Sequence, residues 1–239
     1  MRTAMSTYHP RHATLDVEDS PERRLLVRGS FAAAAGAVVG TGLIVPTAAE
    51  AATTLKRGSR GAAVKQLQRT LATKGYWHSG SDGIYGHTTE QAVMAVQKVY
   101  GMKRDGIAGP ATIDKINRMG RKWPKSTSGT LIEIELRRQI MIFVVNGQTK
   151  WVFNTSTGDS NHRTPPGRFT IFRQIDGMRY APLGQLWRPK YFNGGIALHG
   201  STSIPGYPAS HGCARLSNDA INSIWRANLA PIGTKVWVY

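Results

Sequence analysis

The sequence predicts a multidomain α and β protein: a small three-helix bundle followed by a mainly-β domain. Three observations predict it. "DGIYGHTT" (82–89) and "DGIAGPAT" (105–112) repeat one form, D-G-I-x-G-x-x-T, offset by 23 residues. Around the two copies, apolar residues recur at helical spacing. From residue 130 the period shortens to two, with a break at Asn146-Gly147, a strong two-residue hairpin signal.

The chain opens on a segment that reads as an export signal, residues 1–51. "SPERRLLVRGS" precedes the uncharged run "FAAAAGAVVGTGLIV", Phe31 to Val45, and Ala49-Glu50-Ala51 has the small-x-small form of a signal peptidase site. The run of 15 residues is shorter than the roughly 20 that span a bilayer as a helix. No stable membrane span is therefore expected after signal cleavage. Arg23-Arg24 before Leu25, Leu26 and Val27 resembles a twin-arginine signal, and an ordinary Sec signal fits equally well. No cysteine lies near the cleavage site, which excludes a lipid-anchored lipoprotein.

Export changes the meaning of the charge. Residues 1–51 hold five arginines and five acids, so the whole excess of +17 lies beyond them. The basic residues are scattered and form no compact block, so no nucleic-acid partner is expected. Outside the cell the excess suits an anionic wall polymer or a membrane surface. A single cysteine, Cys213, allows no internal disulfide, so stability must come from packed cores.

The bundle spans 55–119. Val64, Leu67 and Leu71 form a helical stripe ending at Gly75. Thr88 with Gln91 fits a capping box before Ala92, Val93, Val96 and Tyr100, and Ile113 and Ile116 mark a third helix. In each repeat, glycine supplies the tight turn that leads into a helix. These residues resemble the peptidoglycan-binding domain 1 family, a three-helix module, through "LKRGSRGAAVKQLQRTL" and both D-G-I copies. The resemblance implies binding to wall glycopeptide. Tyr76, Trp77 and Tyr85 are then candidate sugar or peptide contacts, with packing as the equal alternative. His78 and His87 read as solvated turn residues. "GRKWPKSTSG" (120–129) has the composition of an exposed linker.

The β domain spans 130–239, with one helix at about Asn218 to Leu229 between its last strands. Its notable stretch is "ALHGSTSIPGYPASHGCARLSN", in which His199, His211 and Cys213 share a glycine-rich region. Three readings of Cys213 compete. A zinc site lacks an acidic partner and any C-x-x-C or H-x-x-x-H spacing. A structural cysteine would sit in an apolar run. A nucleophile needs a nearby base and backbone N–H donors, which this loop can supply, and a neighbouring imidazolium and guanidinium would favour the thiolate.

With "TPPGRFTI" (164–171) upstream, "HG" at 199–200 and "SHGCARLSN" at 210–218 closely resemble the L,D-transpeptidase catalytic domain of the YkuD type. The resemblance implies that Cys213 is the nucleophile and His199 the general base. It implies that the carbonyl of Gly200 orients the imidazole, that Ser210, His211 and Gly212 shape the site, and that N–H groups near Gly212 and Cys213 form an oxyanion hole. Arg215 falls where substrate is engaged or the loop supported, and Ala214 departs from the larger apolar residue usual there. No metal or organic cofactor is implied. The implied reaction is 3→3 cross-linking of peptidoglycan stem peptides. With water as acceptor the same site is an L,D-carboxypeptidase, and a wall-binding protein with an inactive catalytic domain is the non-enzymatic alternative.

Overall fold

The computed structural model describes residues 53–239, so the segment read as an export signal lies outside the described residues. The helices α1 (Ala62–Thr73), α2 (His87–Val99) and α3 (Pro110–Arg118) form the bundle. No described helix is long and apolar enough to cross a membrane.

The tandem repeat is a pair of glutamine clamps. Gln68 is buried, donates through Nε2 to Asp82 Oδ1 (2.9 Å) and Ile84 O (3.0 Å), and accepts from Gly83 N (2.8 Å). Gln97 makes the same three bonds one copy later, to Asp105 Oδ1 (2.8 Å), Ile107 O (3.0 Å) and Gly106 N (2.8 Å). Each clamp gives the buried amide of its turn glycine, Gly83 or Gly106, an acceptor it would otherwise lack. The predicted capping box does not form. The N-cap of α2 is Gly86, with no side-chain bond. Thr88 instead receives the amide of Ser79, and Gln91 Oε1 accepts from Asn154 Nδ2. Both side chains have better partners outside their own helix.

The β domain contains ten strands among the described residues. In order they are β1 (Leu131–Glu135), β2 (Ile140–Val145), β3 (Gln148–Asn154), β4 (Gly167–Thr170), β5 (Arg173–Gln174), β6 (Met178–Ala181), β7 (Gly184–Asn193), β8 (Ile196–Ser201), β9 (Ala214–Ser217) and β10 (Lys235–Val238). One sheet runs β3-β2-β1-β10-β4, and the other β5-β7-β8-β9 with β6 paired to β7. The turn between β2 and β3 is Asn146-Gly147, both at positive φ (51° and 71°), as a two-residue hairpin turn requires. Helix α4 (Asn218–Arg226) starts at Ser217, whose side chain accepts from Ala220 N, and lays Ala220, Ile221 and Ile224 into the core between the sheets.

The helices do not keep a core to themselves. Val64, Leu67, Leu71, Val93, Val96 and Ile116 continue into Leu131, Ile140, Ile142, Val144 and Val152 on one face of the first sheet. The opposite face packs Ile132, Ile134, Met141 and Phe153 against Leu198 and Leu216 of the second sheet. The first sheet is therefore covered twice, and the alternating pattern of β1 does not mean inside and outside. Glu133 is fully buried and accepts from the amides of Lys125 (2.9 Å) and Ser126 (2.6 Å) and from Tyr239 Oη (2.8 Å). Those bonds also hold 120–129, which is largely exposed yet strapped to the sheet rather than free. Arg121 adds a bond to Thr149 O (3.0 Å).

This arrangement decides between the two readings of the module aromatics in favour of packing. Tyr76, Trp77 and Tyr85 are 0%, 9% and 1% exposed, so none is placed to stack on a sugar. Trp77 stacks on Phe153 at 5.5 Å, and Tyr85 Oη donates to Gly106 O, tying the first repeat to the second. Neither histidine is a freely solvated turn residue. His78 is half-buried with its two ring nitrogens against Gly80 O and Gln68 O, and His87 is the first residue of α2.

Candidate active site

Strands β8 and β9 are parallel neighbours, with His199 opposite Arg215 and Leu198 opposite Ala214. The chain leaves β8, loops through 202–209, and returns so that Cys213 directly precedes β9. His199, Ser210, His211, Cys213 and Arg215 thereby line one cavity of about 520 Å³. The β6–β7 hairpin supplies its other wall, including the exposed Leu183.

The turn before Cys213 is built from side-chain bonds. Ser210 is buried, and its hydroxyl donates to Cys213 O while accepting from Gly212 N (3.1 Å). The Gly212 amide, expected in an oxyanion hole, is thus already occupied by Ser210. Thr164, from the upstream "TPPGRF", donates to Gly212 O (2.6 Å) and accepts from Gly158 N (2.9 Å). Thr164 therefore fixes the turn from behind. The sequence stretch was visible, but its spacing from Cys213 carried no sign of this contact.

His199 is 4% exposed, and its Nδ1 lies 2.9 Å from Gly200 O. A carbonyl only accepts, so Nδ1 carries the proton and Nε2 keeps its lone pair. Burial holds the imidazole down at about 4, opposed by the Gly200 carbonyl and assisted by the Arg215 charge. Burial also raises the Cys213 thiol, opposed by the Ala197 amide and the Arg215 charge. Sγ accepts from Ala197 N (3.4 Å) and donates to Gly195 O (3.8 Å). Burial thus favours the uncharged form of both groups, thiol and imidazole. This corrects the expectation of an imidazolium that favours a thiolate: the site is too dry to charge the ring near neutral pH.

His211 is exposed and meets His162 edge-on, with ring centroids 4.6 Å apart, while His162 Nδ1 bonds Asp159 Oδ1 (3.0 Å). It belongs to the rim. Gly200 lies within β8, where an added Cβ would stand 2.6 Å from Asn218 Oδ1 and 2.7 Å from Ile221. Among the described residues, no group of three or more His, Cys, Asp or Glu gathers as metal ligands.

A two-layer β domain with a cysteine and a buried histidine lining one cavity, and a helical repeat module packed on its first sheet, defines a class: two-module α and β proteins with the candidate site in the β domain. The comparisons name the family. The L,D-transpeptidase catalytic domain model matches residues 129–238, and a peptidoglycan binding domain model matches 60–116. A crystal structure of an L,D-transpeptidase from Xylanimonas cellulosilytica is 44% identical, covers 77% of this chain and 97% of that one, and superposes with a TM-score of 0.74. The chain belongs to the L,D-transpeptidase family. Shorter similarities reach a zinc D-Ala-D-Ala carboxypeptidase of Streptomyces albus G, 47% identical over 28% of this chain and 27% of that protein. The amidase CwlL of Bacillus licheniformis is 44% identical over 32% of this chain and 22% of that one. The chain thus spans about a quarter of the length of these curated relatives.

Proposed function

We propose that the protein is an exported enzyme of the cell wall that cleaves the bond between the third residue and D-Ala of peptidoglycan tetrapeptide stems and forms 3→3 cross-links. The observation that carries the reading is that Cys213 and the buried His199 line one cavity of an L,D-transpeptidase domain. Cys213 attacks the carbonyl of the third residue while His199 Nε2 takes the thiol proton. The tetrahedral intermediate, its oxyanion held by loop amides beside Gly212, collapses and expels D-Ala, whose amine receives that proton. The side-chain amine of a second stem then attacks the thioester and gives a proton to His199. Collapse forms the new amide and returns the thiol. Arg215, which lines the cavity and pairs with His199 across β8 and β9, supplies a positive charge for an anionic group of the substrate. The docked module and the excess of basic residues support wall glycan and anionic wall polymers as the surface on which the enzyme works.

The test is mass spectrometry of purified tetrapeptide muropeptides incubated with the protein, in parallel with meropenem. The expected result is cross-linked dimers and one covalent carbapenem per chain, mapped to Cys213. Trimmed tripeptides without dimers would make it an L,D-carboxypeptidase. No product and no adduct from folded protein would leave a wall-binding role.

A further inference from the structure

Segment 202–209 carries the chain from the strand of His199 to the turn of Cys213, and it has no helix or strand of its own. Its backbone is held from outside. Asn154 Nδ2 donates to Ile204 O (3.3 Å), Lys98 Nζ to Pro205 O (3.4 Å), Arg104 Nη1 to Gly206 O (2.9 Å) and Ser156 Oγ to Tyr207 O (2.8 Å). Four consecutive carbonyls thus accept from four different side chains.

Two of these donors belong to the helical module: Lys98 is in α2 and Arg104 follows it. A third, Asn154, also donates to Gln91 Oε1 of α2 (2.6 Å). Lys98 is 1% exposed, and its Nζ also reaches Gln139 O (3.1 Å) and Thr155 O (2.8 Å). Both contacts lead back to the site. Gln139 bonds the amide and hydroxyl of Thr157, whose carbonyl accepts from Ala209 N and Ser210 N. Thr155 Oγ1 donates to Arg215 O (2.8 Å). At Gly206 a Cβ would lie 2.9 Å from Arg104 Cβ, so the close approach requires glycine there.

Burying a lysine against carbonyls alone is costly, and an apolar side chain would cement an interface as well. The donors are placed where the loop needs holding. We propose that Lys98 and Arg104 are positioning residues for the acyl-transfer site, setting the path of segment 202–209 and with it the approach of Cys213 to His199. The helical module is then part of the catalytic apparatus as well as its wall anchor. The proposal rests on the reading of Cys213 as nucleophile and His199 as base.

The test uses Lys98→Met, Arg104→Ala and Arg104→Lys in the full chain. Each is assayed for kcat and KM on a soluble tetrapeptide, iodoacetamide alkylation of Cys213 across pH, and pull-down with purified sacculi. Lys98→Met should lower kcat about 10- to 100-fold with KM changed less than about twofold, because small misplacement of reacting groups is amplified in rate. Arg104→Ala should lower kcat about 3- to 10-fold, and Arg104→Lys should restore most of it. Alkylation should change in the same order and pull-down should not. Arg104 is exposed, so its variants carry the test if Lys98→Met does not fold. Folded variants with wild-type kcat and alkylation would overturn the proposal, as would losses confined to KM and pull-down. If the wild type turns over no tetrapeptide, the functional reading fails while the alkylation series still decides the positioning role.

Discussion

The two sheets of the β domain differ in what covers them. The sheet β3-β2-β1-β10-β4 is packed on one face by the helical module and on the other by the interior, so even the glutamates of β1 are buried. The sheet β5-β7-β8-β9 is covered on its inner side, while its β6–β7 hairpin stands exposed over the cavity. The first sheet is buried on both faces, and the proposed chemistry lies on the second. Segment 202–209 links β8 to β9 within the second sheet and is held from the first by Asn154 of β3. A change in one sheet should therefore leave the property of the other intact unless it touches that segment.

The sharpest test of this division removes the thiol. Cys213→Ala should abolish turnover and all alkylation while the melting temperature moves by no more than about 3 °C, since one half-buried sulfur is a small part of the core. His199→Ala should lower kcat by about 10²- to 10⁴-fold, the usual worth of a positioned base. Turnover surviving in Cys213→Ala would break the comparison at its chemical end.

The converse test removes the cover of the first sheet. Deleting 55–118 uncovers Ile140, Ile142, Val144 and Val152, and the remaining chain should be insoluble or lack a cooperative melt. Within the full chain, Leu71→Ala, at a fully buried position, should cost about 2–5 kcal/mol in denaturant unfolding with kcat little changed. A soluble 120–239 fragment with normal acylation would show that the module is a detachable anchor.

How far this was legible in the sequence follows from what is local. The D-G-I repeats, the Asn146-Gly147 turn and the stretch around Cys213 are contiguous, and each carries its own turn chemistry. The burial of Tyr76, Trp77 and Tyr85 is not local. It depends on helices folding onto a sheet that begins at residue 131. Hence the aromatics, which the sequence left open between ligand contact and packing, are packed, and the exposed linker is tied to the buried Glu133 of β1. The roles of Thr164 and Lys98 are not local either, because their partners are carbonyls 48 and 107 residues away.

A third test uses pH, because the buried imidazole belongs to the chemical sheet. His199 sits at about 4 in the fold against an ordinary value of 6.5, so the unfolded chain binds more protons between those two values. Stability attributable to this group is full above pH 6.5 and lost as pH falls toward about 4, amounting to about 3 kcal/mol. Activity should follow the same ring: kcat/KM stays level through the weakly acidic range and drops with a midpoint near 4, where Nε2 becomes protonated. His199→Gln should flatten the stability profile over that window. An acid limb of kcat/KM centred at 6.5 would mean a solvated ring and would contradict the neutral-pair mechanism.

The smallest effects belong to the helical cover, where the two clamps allow an internal comparison. Gln97→Ala removes three bonds and leaves the buried Gly106 amide without its acceptor, which should cost about 1–3 kcal/mol. Gln68→Ala removes the equivalent three and a fourth, to Thr89 Oγ1 (3.0 Å), so it should be the more damaging of the two. Gln68→Glu separates hydrogen bonding from shape. It keeps an acceptor for Gly83 N but sets a second carboxylate against Asp82, whose own acidity the Ile84 amide and the Gln68 side chain now strengthen. The variant should be weakest near neutral pH and recover as pH falls and the new carboxyl protonates, the reverse of the His199 profile. Denaturant unfolding at several pH values measures all three, with kcat expected within about twofold of wild type because these sites are independent of the cavity. Equal losses at Gln68 and Gln97, or a fall in kcat without a fall in stability, would show that the repeat serves the cavity directly rather than the sheet beneath it.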